Sequence, residues 1–189
     1  VVEAMGLDDA AVASALLAIE SRSEHPLAEA VVRYLHTTGV HQAAELGEFE
    51  SLTGKGVKAV IGDSTWFVGS RRLLEENGIT IGDGYKERER SWQEAAHTVI
   101  WFADAKEVRA AIAIADRIKP SAVEAIARLK AAGIKVFMQT GDSRRTAEAV
   151  SKAVGIDDFR SEVLPKDKAA FVTGLQQQGH VVAMVGDGI

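Results

Sequence analysis

The chain has 189 residues, 47% of them apolar and 26% charged, with a net charge of −5 and no cysteine. That length holds one large domain or two small ones. The acidic balance speaks against a nucleic-acid partner, which needs a basic stripe, and the missing cysteines exclude disulfides and thiolate metal sites.

In chain order, Val12, Ala15, Leu16 and Ile19 keep helical spacing from Asp8 to Ser21. A second helix is predicted to open at HPLAEAVVRYL, with Pro26 at its first position, His25 as an exposed cap and Gly39 closing it. Three short strands follow, ELGEFESL, GVKAVIG and TWFVG, each bounded by glycine or a small polar residue. RRLLEENG and YKERERSWQEAA are predicted helices, the alternating charges of the latter marking a solvated face. HTVIWFA and EVRAAIAIA, joined by the turn DAK, complete an α+β half: an antiparallel sheet flanked by helices, expected on one side. The longest apolar run, AAIAIA, is far short of the ~20 residues that cross a bilayer. Glu3, Asp8 and Asp9 do not suit a signal peptide, so the chain is expected to be soluble and not to enter a membrane.

After Asp116 the pattern changes. SAVEAIARLKAAG, SRRTAEAVSKAVG and KDKAAFVTGLQQQG are helical, while IKVFMQT and HVVAMVG are strands. Strands separated by crossover helices indicate a parallel, doubly wound α/β half. The expected division is therefore 1–115 and 116–189, with DRIKP as the link and hinge. Two parallel strands are too few for a covered sheet, so this half is expected to be partial.

Both predicted parallel strands end alike, in MQTGD and MVGDG. Carboxyl ends of parallel strands are where reactive groups gather. Thr140 and Asp142 stand at one end and Asp187 at the other, with glycines that let backbone amides approach an anion and Lys168 as a cation for a phosphoryl oxygen. Each piece alone is compatible with an ordinary turn or a surface lysine; their order is the more specific signal.

TGD, PKDK and VGDGI, in that order, resemble the phosphorylation domain of P-type ATPases, a haloacid-dehalogenase-like (Rossmann-like) fold. ESRSEHPLAEAV, GKGV and VGSRRLL resemble the Ser-x-His-Pro, Gly-x-Gly-Val and Val-Gly-Asn/Ser motifs of heavy-metal P-type ATPases, so the resemblance spans nearly the whole chain. It implies that residues 1–115 are a nucleotide-binding domain and that 116–189 are part of a phosphorylation domain. The family nucleophile, the aspartate of Asp-Lys-Thr-Gly-Thr, is not in this sequence and is expected before Val1 in a longer parent protein.

Carried over by motif, Glu20 would accept the exocyclic amine of ATP's adenine and the His25 ring would face the purine. Gly54 and Gly56 would let the backbone lie against the nucleotide, Val57 would form an apolar wall, and Gly69 with Ser70 would complete the pocket. No Walker-type loop is present. Thr140 and the Gly141 amide would bind phosphoryl oxygens, Asp142 would fix the loop or contact nucleotide, Lys168 would neutralise charge, and Asp187 would be a Mg²⁺ ligand. The implied parent protein sits with these domains on the cytoplasmic face of a membrane, beside actuator and transmembrane domains, and transports a heavy-metal cation through an aspartyl phosphate. The isolated segment would bind ATP without turning it over.

DRIKPSAVEAIARLKAAGIKV and EVLPKDKAAFV resemble copper exporters more than zinc or cadmium transporters. Gln139, Ser143 and Lys166 depart from the common family pattern. Two other readings remain open at this point. One is a free-standing phosphatase of the same superfamily with an inserted cap, needing its own nucleophile near Asp8 or Asp9. The other is a non-catalytic binding module.

Overall fold

The computed structural model describes residues 1–115 and 118–186, apart from the side chains of Pro165 and Lys166. The chain divides into two compact units, Val1–Lys119 and Pro120–Ile189.

The first unit is built on a six-stranded antiparallel sheet. Its strands are β1 (Val2–Met5), β2 (Phe49–Leu52), β3 (Gly56–Ile61), β4 (Ser64–Gly69), β5 (Thr98–Asp104) and β6 (Val108–Ile114). They lie in the order β1-β6-β5-β4-β3-β2. Four helices pack on it: α1 (Ala10–Glu20), α2 (Pro26–Thr37), α3 (Arg71–Glu76) and α4 (Asp83–Glu94). Asp9 caps α1 by accepting the Ala11 N–H at 2.8 Å. α1 is apolar on nearly every side, and Val12 to Glu20 are buried apart from half-buried Ser14. The 40–48 loop is tied over it by the Ser14 hydroxyl, which donates to Gln42 O at 2.7 Å.

The expectation of helices on one side is corrected here. Ala110, Ile112 and Ile114 of β6 pack with α1 and α2, whereas Ala111 and Ala113 pack with Leu73 and Leu74 of α3 and Trp92 of α4. Side chains alternate across a strand, so the apolar run AAIAIA feeds two cores at once. Trp101 and Phe102 of β5 divide in the same way between the two faces. Burying side chains of this size contributes about 1.5–3 kcal/mol each.

The solvated face expected of α4 is present, with Lys86, Glu87, Arg88, Arg90 and Glu94 exposed, but one acid of the run turns inward. Glu89, Trp92 and Gln93 are buried. Glu89 accepts from Arg71 at 2.6 Å and from the Gln93 amide at 3.1 Å. Glu3 of β1 accepts from both Trp92 Nε1 and Arg88 at 2.8 Å, joining the sheet edge to α4.

The second unit has a two-stranded parallel sheet, β7 (Phe137–Gln139) and β8 (Asp158–Arg160), with helices α5 (Pro120–Ala131), α6 (Arg144–Val154) and α7 (Pro165–Gln177). Pro120 begins α5 rather than barring it, since a first-turn residue needs no N–H. β8 pairs with β7 in the place expected of HVVAMVG. Val181 to Val185 join no ladder among the described residues, and Val181, Met184 and Val185 are exposed. A strand exists through its partner's hydrogen bonds, and these five residues have none beside them.

Candidate functional site: two clusters of motif residues

In the first unit, Glu20 ends α1 and His25 caps α2, with four residues between them in the connecting turn. Glu20 is 5% exposed, and among the described residues its carboxyl has no hydrogen-bond or ion-pair partner. Burial alone pushes its pKa up from 4.5 to about 7. His25 is exposed, and its Nδ1 accepts the Leu27 N–H at 3.2 Å. With that nitrogen as acceptor, the neutral ring carries its proton on Nε2 and leaves its faces open. Arg22, in the same turn, lies over the Phe49 ring at 5.8 Å.

The glycine motifs converge on the joint of β3 and β4. Gly56 faces Gly69 in the ladder. A Cβ on Gly56 would run into the Val68 carbonyl oxygen and stand 2.6 Å from the Gly69 Cα. One on Gly69 would run into the Lys55 carbonyl and stand 2.8 Å from the Gly56 Cα. Close backbone contact within the protein therefore already requires both glycines, a reason separate from the one the motif suggested. Gly54, with φ +70°, turns the chain between β2 and β3. Val57 is 8% exposed and belongs to the core shared with α1, so it can offer a ligand only an edge. The Ser70 N–H donates to Lys55 O at 2.8 Å. The Ser70 hydroxyl makes no cap hydrogen bond, and its oxygen is buried without a partner.

In the second unit, Thr140, Gly141 and Asp142 form the turn from β7 into α6. The Thr140 hydroxyl donates to Asp142 Oδ2 at 2.7 Å and accepts the Asp142 N–H at 3.1 Å. Ser143 serves as the cap of α6, accepting the Thr146 N–H at 3.3 Å, so this departure from the family pattern keeps the helix start intact. A Cβ on Gly141 would meet nothing nearer than Val163 O at 3.9 Å, so no packing contact demands glycine there. The Gln139 amide oxygen is buried without a partner. Val163 N–H donates to Thr140 O at 3.0 Å, which brings the segment leading into α7 against the turn.

Lys168, in the first turn of α7, is half-buried, and among the described residues its ammonium has no ion-pair partner. Asp187 lies outside the described residues, as does the side chain of Lys166. An open cleft of about 520 Å³ beside the turn is lined by Arg144, Arg160, Asp157, Asp158, Glu162 and Asp167 among others. Acids outnumber arginines there, so the cleft has no net attraction for anions.

Asp8 and Asp9 follow a strand, β1, as a nucleophile of the free-standing reading would have to. That strand belongs to the antiparallel sheet, and Asp9 is spent on capping α1. Sequence reasoning missed the Arg71–Glu89 pair behind Ser70; Tyr85, Glu89 and Trp92, on one helical face, were the available signal. No trio of carboxylate or imidazole groups among the described residues could hold a metal ion. Among the described residues no helix is long and apolar enough to cross a membrane.

The chain is similar to several known proteins. The chain is 44% identical over 170 residues to the "Copper-exporting P-type ATPase" of Staphylococcus haemolyticus, covering 90% of this chain and 21% of that protein. It is 42% identical over 172 residues to the "Probable copper-transporting ATPase PacS" of Synechococcus elongatus, covering 90% of this chain and 23% of that protein. The chain thus spans about a fifth of the length of these curated relatives.

Among solved structures, one described as "Conformational changes in the catalytic domain of the CPx-ATPase CopB-B upon nucleotide binding" matches 99% of this chain and 64% of its own. Its TM-score is 0.77 at 26% identity. A zinc-transporting PIB-type ATPase in the E2.Pi state matches 92% of this chain and 28% of its own, with a TM-score of 0.52 at 26% identity. The family model for haloacid dehalogenase-like hydrolases matches residues 2–189, and the chain belongs to that family.

Proposed function

We infer that the chain is the ATP-binding part of a P-type ATPase that exports copper, with Val1–Lys119 as a nucleotide-binding domain and Pro120–Ile189 as part of a phosphorylation domain. The relatives' names support the cargo, and the likeness to a CPx-ATPase catalytic domain supports the role. In this reading the domains face the cytoplasm beside actuator and transmembrane domains, which are the chain's partners in the longer protein.

The observation that carries the reading is Glu20. Its side chain is largely buried and its carboxyl has no partner among the described residues, which disfavours the charge, while the oxygens still reach the surface where a ligand's donor can complete them. The exocyclic amine of adenine is such a donor. His25, exposed with its Nδ1 already engaged, offers its ring as a stacking face. The buried, unpartnered Ser70 hydroxyl and the Gly54, Gly56 and Gly69 backbone extend the same region of the first unit, with Val57 behind them.

On the phosphate side, the half-buried Lys168 ammonium, unpaired among the described residues, and the room at Gly141 suit phosphoryl oxygens. Thr140 must first give up its hydrogen bond to Asp142. In the family chemistry a carboxylate oxygen attacks the γ-phosphorus in line. The new O–P bond yields an aspartyl phosphate while the β–γ bridging bond breaks and ADP leaves. That carboxylate belongs to an Asp-Lys-Thr-Gly-Thr motif absent from this sequence, so the chain by itself is expected to bind ATP and not to turn it over. The described residues do not on their own compose a Mg²⁺ site, and no step is drawn through one.

Titration of ATP into the chain, followed by the His25 ring signals in NMR, tests the reading. The signals should shift in the millimolar range, and the double change Glu20→Ala with His25→Ala should abolish ATP binding measured by calorimetry. Because an ionised Glu20 accepts the amine more strongly than a protonated one, affinity should fall as pH drops through about 7 and level off above it. A His25 signal indifferent to millimolar ATP ends the assignment.

A further inference from the structure

The contacts of Lys55 lead beyond the adenine end, on the footing of the nucleotide reading above. Lys55 stands between Gly54 and Gly56 in the turn from β2 to β3. Its backbone is fixed: the carbonyl accepts the Ser70 N–H at 2.8 Å, and its own N–H donates to Leu52 O at 2.9 Å. The ammonium donates to Glu76 Oε2 at 2.6 Å, across from the turn on α3. Glu76 has a second cation, since Arg72 Nε donates to its other oxygen at 2.8 Å.

All three side chains are a third or more exposed, so water and salt screen these pairs. The arrangement is asymmetric. If Lys55 leaves, Glu76 keeps Arg72; if Glu76 is removed, Lys55 has no other carboxylate partner among the described residues. A flexible stem carrying three N–H donors, released at little cost from a turn whose backbone is held by hydrogen bonds to Ser70 and Leu52, suits a polyanion better than a lone carboxylate.

We propose that Lys55 binds the phosphate chain of the nucleotide, with Glu76 as its resting partner, released when nucleotide arrives and held meanwhile by Arg72. The lysine thereby favours nucleoside polyphosphates over the nucleoside, in the same unit that grips the base.

The test is calorimetric titration of the 189-residue chain with ATP and, separately, with adenosine, for the wild type, Lys55→Gln, Lys55→Arg and Glu76→Gln. Lys55→Gln should weaken ATP binding about tenfold, the scale of one charged hydrogen bond, and leave adenosine unchanged. Lys55→Arg should restore most of the loss. Glu76→Gln should tighten ATP, because it removes a competitor for the ammonium. That opposite sign keeps the test decisive even if Lys55→Gln disturbs the turn.

A simple brace between turn and helix would make both Gln variants weaken ATP, and that result overturns the proposal. Equal ATP affinity in wild type and Lys55→Gln, with adenosine still bound, removes the lysine's role while the adenine site stands. Failure of the wild type to bind either ligand removes the nucleotide reading and the lysine's role together.

Discussion

The two units meet the same physical demand in different ways. In the first, a six-stranded sheet has both faces covered, and large side chains such as Trp101, Phe102, Leu16, Leu35 and Ile112 are fully buried. In the second, α5 buries no residue, and the sheet has two strands of three residues each. All the exposed large apolar residues other than Val1 and Met5 lie there: Val123, Leu129, Ile134, Phe137, Val181, Met184 and Val185. The first unit closes its own core, while the second leaves apolar surface open to water. A binding surface built on the first is preorganised by packing; the turn of the second depends on local hydrogen bonds such as those among Thr140, Asp142 and Ser143.

The largest expected effect tests that contrast directly. Hydrogen exchange should protect the amides of β5 and β6 about a thousandfold more than those of β7 and β8. Equal protection would break the comparison.

Next comes the glycine joint. Gly56→Ala should destabilise the first unit by ~3 kcal/mol or more, because its Cβ meets backbone, whereas Gly141→Ala in the second should be nearly silent in a chemical-denaturation midpoint.

A third effect depends on pH. The folded Glu20 holds its proton up to about 7, above its ordinary 4.5, so the folded state binds the proton more tightly than the unfolded chain. The penalty for its charge therefore builds up as pH rises from about 4.5 to about 7 and is complete above that. Glu20→Gln should accordingly stabilise the first unit at pH 8 by on the order of 2–3 kcal/mol and do nothing at pH 4. Thermal melts at the two values check the sign.

The smallest effect sharpens the contrast from the other side. Lys130 joins α5 to the end of α6 by donating to Asp157 at 2.6 Å and to Gly155 O at 3.0 Å. Lys130→Met should cost ~0.5 kcal/mol, the scale of an exposed pair, and only in the second unit.

Legibility in the sequence follows the same divide. The helices from Ala10 to Thr37, the His25 cap, the hairpin turns and the long strands β5 and β6 were readable because their periodicity and punctuation are local. β1 was missed because four residues, three half-buried and one exposed, carry little alternation, and its membership in the sheet is decided by β6, more than a hundred residues away. β8 was missed because Asp158, Phe159 and Arg160 show no apolar run. HVVAMVG reads as a strand, yet a strand needs a neighbour that composition cannot supply. The burial of Glu89 goes with its pairing to Arg71 from another helix, so the charge pattern, right about the exposed face, did not reveal this one carboxylate. Of the candidate site, the motif residues could be named from the sequence as proposals; the packing requirement at Gly56 and Gly69 was not legible, because it arises from the facing strand.

The Gly56–Gly69 contact also has a consequence for how the hairpin assembles. The adjoining positions carry Lys55, Val57, Val68 and Ser70, so a slip of one residue would push a side chain into a space that admits only hydrogen. Misaligned zippering of β3 against β4 is rejected sterically at this one point, before any core has formed around it. The pair works as a key that fits a single alignment, and neither glycine can drift in sequence unless the other strand moves away.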